Sequence, residues 1–144
     1  MPFLHTCNEV NLSTQTVDEE IIISGNNGNQ KNPYVYWSGH SFMISWEDGR
    51  NSADLNPEQD IYFQEYNNGI QILPSGGDAI SNFDEKQQRP IISKYSESTY
   101  VILFEDFRST GKADCANLYG QSYQSVSCPN MGDMNGDGTW NVLD

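Results

Sequence analysis

The last twelve residues carry the chain's most chemically pointed spacing. They read Asp133-Met134-Asn135-Gly136-Asp137-Gly138-Thr139-Trp140-Asn141-Val142-Leu143-Asp144. Side-chain oxygens stand at the first, third and fifth positions, on Asp133, Asn135 and Asp137. Gly138 comes sixth, where the backbone must bend to bring its second half round. Thr139 then offers its backbone carbonyl, Asn141 acts directly or through water, and Asp144 closes the shell. Alternate residues of such a tight loop aim their oxygens at one centre. A hard cation with roughly six to eight oxygen ligands fits there, and that describes calcium. The expected Ca2+ ligands are therefore Asp133, Asn135, Asp137, Thr139, Asn141 and Asp144.

A second group also invites a chemical reading. Glu47, Asp48 and Arg50 place two carboxylates beside a cation, a set that can move protons. The same set returns as Glu105, Asp106 and Arg108. A catalytic group normally occurs once, whereas a structural device recurs in each repeat. Asp and Arg at a strand end tie a turn by bonding to backbone and to each other. Three carboxylates outside the repeat, Asp54, Glu58 and Asp78, lack the paired context that glycoside hydrolysis needs. His5 and His40 are isolated, and no H-E-x-x-H, G-x-S-x-G or P-loop pattern exists. No catalytic residue is assigned.

These groups sit on an internal repeat. Ser41-Phe42-Met43-Ile44-Ser45-Trp46-Glu47-Asp48-Gly49-Arg50 aligns without a gap on Thr99-Tyr100-Val101-Ile102-Leu103-Phe104-Glu105-Asp106-Phe107-Arg108. Upstream, Asn32-Pro33-Tyr34-Val35 matches Arg89-Pro90-Ile91-Ile92. Downstream, Asp60-Ile61-Tyr62-Phe63-Gln64 matches Asn117-Leu118-Tyr119-Gly120-Gln121. Each unit predicts short strands. The first spans Tyr34 to Trp37 or Pro90 to Tyr95, just after the proline. The second spans Ser41 to Glu47 or Tyr100 to Glu105, and the third Asp60 to Tyr66 or Leu118 to Gln124. A fourth is expected in the first copy at Gly69 to Leu73, after the hairpin signal Asn67-Asn68-Gly69. Ile21-Ile22-Ile23-Ser24-Gly25 is similar to Ile70-Gln71-Ile72-Leu73-Pro74 and reads as the end of a preceding unit. The expected divisions are 1–29 (tail of a preceding unit), 30–85, 86–127 (partial), and 128–144 (linker and calcium loop). Trp46 and Phe104 are expected to be wedged in the core between units.

The pattern Trp46-Glu47-Asp48-x-Arg50 followed by Asp60-Ile61-Tyr62-x-Gln64 resembles the blades of secreted bacterial TolB-like β-propellers. The resemblance covers about residues 20 to 125 and is looser in the second copy, where Phe104 replaces Trp. It implies an all-β fold of antiparallel four-stranded blades. Known propellers use roughly four to eight blades, more than this chain holds. Gly132 to Asp144 resembles the first calcium loop of a dockerin, an EF-hand relative with Asp rather than Glu at the last position. Cohesin recognition in that family relies on a following helix and a second repeat, so this chain alone is not expected to dock. The resemblances imply a piece of a larger extracellular bacterial protein, non-catalytic, with a binding or scaffolding role. Its partners would be carbohydrate or a cohesin-like protein, met through the parent. An alternative is a piece of a polysaccharide-degrading glycoside hydrolase.

Bulk composition agrees with a strand-rich, acidic chain. The formal net charge is −13 over 144 residues, and aromatic content is 12%. Such a charge opposes binding to nucleic-acid phosphates. No stretch has the length and apolarity of a membrane span, and no export signal is visible at Met1-Pro2-Phe3-Leu4. Cys7, Cys115 and Cys128 form no C-x-x-C pair. Cys115 and Cys128 flank one predicted strand and either bridge or remain free thiols.

Overall fold

The computed structural model describes residues 20–52, 59–108 and 115–125. Among them the chain is all-β, antiparallel throughout, with no helix. The first sheet holds β1 (Gln30–Trp37), β2 (Phe42–Asp48), β3 (Asp60–Asn67), β4 (Ile70–Gln71) and β5 (Asp78–Ser81). The second holds β6 (Gln87–Lys94), β7 (Thr99–Asp106) and β8 (Asn117–Gln124). Their orders are β1-β2-β3-β4, with β5 also on β3, and β6-β7-β8. The two sheets are copies of one design, as the repeat in the sequence requires.

The first strand of each copy begins ahead of its proline, not after it. A bulge interrupts the ladder between Lys31 and Tyr34, and at the same place between Gln88 and Ile91. Pro33 and Pro90 sit in these bulges, where no N–H is asked for. The residues before them, Asn32 and Arg89, have φ of 52° and 54°. An arginine in that region is uncommon, so neighbouring groups must hold it there.

The fourth strand also departs from expectation. It is broken into β4 and β5, which lie one after the other along the same edge of β3. The hairpin into β4 uses Asn68 and Gly69, both with positive φ, as that turn demands. The break is spanned by the Gln64 carboxamide. Its oxygen accepts from Leu73 N (2.9 Å), and its nitrogen donates to Leu73 O (3.2 Å) and Pro74 O (3.1 Å). A buried side-chain amide thus replaces the missing backbone ladder.

Gly77 immediately precedes β5 and has φ of 75°. A Cβ there would lie 2.5 Å from Phe63 O and 2.6 Å from Trp46 Cη2. Gly77→Ala is therefore expected to destabilise the fold by about 1–3 kcal/mol, as residues forced into that region do. A urea titration measures it.

The core lies between the sheets. Met43, Ile61 and Phe63 of the first pack on Ile92, Tyr100, Ile102 and Phe104 of the second. Strand alternation puts Met43, Ser45, Glu47, Ile61, Phe63 and Glu65 on that inner face. The second sheet meets it with the face that carries Tyr100, Ile102, Phe104 and Asp106. In the repeat those residues correspond to Phe42, Ile44, Trp46 and Asp48, which point the other way in the first sheet. The stacking is therefore head to tail: the tail face of one unit covers the head face of the next.

Candidate functional site

The expected ligands Asp133, Asn135, Asp137, Thr139, Asn141 and Asp144 lie outside the described residues, as do His5, Cys7, Asp54, Glu58 and Cys128. Among the described residues, no cluster of three or more His, Cys, Asp or Glu is placed to hold a metal ion. Cys115 is an exposed free thiol. Asp78 is exposed at the start of β5. His40 sits in the Ser38–Ser41 turn with Nδ1 3.4 Å from Ser38 Oγ.

The repeated Glu-Asp-x-Arg groups are turn locks. Asp48 is fully buried. Its carboxylate accepts from Trp46 Nε1 (2.7 Å), Arg50 N (2.9 Å), Arg50 Nε (3.0 Å) and Arg50 Nη2 (2.7 Å). Burial works to raise the Asp48 pKa, but the bonds from Arg50 and Trp46 outweigh it and hold it below the usual range. The Asp48 hydrogen bond also raises the Arg50 pKa. The guanidinium lies 3.7 Å over the Tyr62 ring, which itself stacks on Trp46. Asn51 donates to Asp60 Oδ2 (2.8 Å) and Tyr62 Oη (3.2 Å). Nearly every residue of the Trp-Glu-Asp-x-Arg-Asn…Asp-Ile-Tyr-x-Gln signature thus has a structural task.

The second copy repeats the lock. Arg108 pairs with Asp106 through backbone and side chain and lies over Tyr119, which stacks on Phe104. Both arginines also reach a serine of the neighbouring strip: Arg50 Nη2 to Ser24 Oγ (3.3 Å), and Arg108 Nη2 to Ser81 Oγ (3.5 Å). Ser24 is therefore the counterpart of Ser81 on β5, and residues 21–24 correspond to β5 rather than to β4.

Two buried carboxylates join the sheets. Glu47 accepts from Asn32 Nδ2 (3.0 Å) in its own unit and from the Arg89 backbone N–H (2.8 Å) in the next. That bond helps hold Arg89 at positive φ. Glu65 accepts from Ser41 Oγ (2.6 Å), Tyr123 Oη (2.7 Å) and Ser125 Oγ (2.7 Å). Burial first, and the adjacent Glu65 second, push the Tyr123 phenol up, so it remains a donor. These carboxylates are consumed by inter-sheet bonds.

Among the described residues, what remains open on the head face of the first sheet is its Val35, Trp37 and Phe42 end. Val35, Trp37 and Phe42 are about half exposed, and the Trp37 and Phe42 rings meet at 4.6 Å, tilted by 48°. With Ile21, Ile44 and Tyr66 they line a groove of about 510 Å³. A second groove of about 360 Å³ lies on the other flank of the 20–24 strip, over Trp46. No motif in the sequence marks this face, because its residues read as ordinary strand positions. Among the described residues, no helix is long and apolar enough to cross a membrane. No protein-family model, no curated protein and no solved structure matches the chain.

Proposed function

We propose that the chain is a non-catalytic stack of β-propeller blades from a larger extracellular bacterial protein, with a dockerin-like calcium loop at Asp133 to Asp144. Its role is scaffolding or binding, with carbohydrate or a cohesin-like protein as partner through the parent. One observation carries this reading: the two copies stack head to tail, tail face on head face, an arrangement that extends by adding further units. The use of Glu47, Asp48, Arg50 and Glu65 in structural bonds supports a non-catalytic role.

The calcium assignment rests on ligand spacing.

Terbium tests the loop. Trp140 stands at its eighth position, close enough to sensitise a bound lanthanide. Sensitised emission is expected, displaced by calcium and abolished by Asp133→Ala. Absence of emission up to millimolar terbium removes the calcium site and leaves only the blade reading.

A further inference from the structure

We infer that the chain associates with a second copy of itself head to tail, the 21–24 strip of one copy completing the outer edge of β8 in the other. The inference rests on the stacked-blade reading and deepens it by naming what covers the open face.

Inside the chain, β5 does two things. It closes the outer edge of β3, and Ser81 at its end meets Arg108 across the head face of the second sheet. Residues 21–24 do the second, with Ser24 against Arg50, and Ile22 O also accepts from Gln71 Nε2 (2.9 Å). They form no strand and pair with neither sheet among the described residues. The second sheet has the opposite lack. β8 pairs only with β7, and nothing described closes its other edge. Among the described residues, one copy therefore offers both halves of such a contact.

The faces match in the same way. Ile92 and Tyr100 are at 3% and 0% exposure in the second sheet because a tail face covers them. Their counterparts on the first sheet, Val35 and Phe42, are 56% and 48% exposed. The tail face of the second sheet is likewise open, with Leu118 at 72% where its counterpart Ile61 is at 0%. Its apolar volume is kept by exchange. Ser45 and Phe63 in the first unit become Leu103 and Gly120 in the second, and Leu103 leans over Gly120, its Cδ2 2.8 Å from where a Cβ would stand. A face patterned this way is built to be covered, and the internal interface shows by what. Such a heterologous contact closes into a ring or grows, according to its rotation. The shared charge of −13 opposes it, so salt strengthens the association.

The test is sedimentation velocity of the full chain, from micromolar to near-millimolar concentration, at low and physiological salt. Concentration-dependent oligomers that grow with salt are expected. Phe42→Lys and Leu118→Lys, both at exposed positions, should each give folded monomers. Mixed together they should form a one-to-one dimer, since each variant keeps the face that the other has lost. The inference is overturned by a chain that stays monomeric throughout, which includes the case of its own termini covering the faces. It is equally overturned by oligomers that survive both variants, or by variants that remain apart when mixed. Failure of the stacked-blade reading itself shows elsewhere, as unchanged stability on truncating Phe63 at the internal interface.

Discussion

Asp48→Ala is expected to lower unfolding free energy by about 3–5 kcal/mol, the range for removing one partner of a buried ion pair. The carboxylate is fully buried and answers four donors, three from Arg50 and one from Trp46. Without it, the Arg50 guanidinium keeps neutral partners such as Ser24 Oγ, Gly76 O and the Tyr62 ring. The Trp46 indole N–H loses its acceptor inside the core. Urea unfolding of Asp48→Ala, Arg50→Ala and the double variant gives the coupling energy. The double variant should be less destabilised than the sum of the two, because it strands no charge. The lock also sets a pH dependence. The folded Asp48 pKa lies below its unfolded value, which is about 4. Its contribution is therefore fully present above that pH and is lost as pH falls through the folded pKa. Acid unfolding of Asp48→Asn should be shallower over that window. Equal steepness in the two proteins would contradict the assignment.

Much of this lock was legible in the sequence, and the reasons are physical. A Glu-Asp-x-Arg group that recurs in register with strand blocks has to serve the repeat. The strand blocks themselves follow from period-two burial, as in β7, where Tyr100, Ile102, Phe104 and Asp106 are all buried. The broken fourth strand was not legible, because a side chain, Gln64, performs the work of the ladder and leaves no periodic trace. The start of β1 and β6 ahead of the prolines is hidden for a related reason. Proline normally ends a paired strand, but here it occupies a bulge whose odd backbone is fixed by Asn32 and Arg89. The Arg89 N–H answers a carboxylate 42 positions earlier, Glu47, and local pattern cannot see that distance. The correspondence of 21–24 is hidden likewise: apolar spelling points to Ile70–Pro74, while the arginine contacts align Ser24 with Ser81. The open end of the head face leaves no trace in the sequence because exposure depends on what stacks there, which no residue type encodes.

Phe63→Ala separates the stack from the sheet, and it should cost about 3–5 kcal/mol, the usual loss for truncating a buried Phe. Phe63 is at 0% exposure and meets the Tyr123 ring at 4.5 Å across the interface. Its backbone continues to pair with Ser45 on β2, so the first sheet keeps its register. The loss should therefore fall on contact between the sheets. Hydrogen exchange makes the distinction. Amides of β6 to β8 should lose more protection than those of β2 and β3, because the second sheet has three strands where the first has five. The buried Glu65 adds a second penalty, since its bonds to Tyr123 and Ser125 depend on the same approach. A uniform loss across both sheets would mean that they unfold as one unit. No loss of stability at all would mean that the two copies do not support each other. The head-to-tail stack would then have no energetic basis, and the blade reading would fall with it.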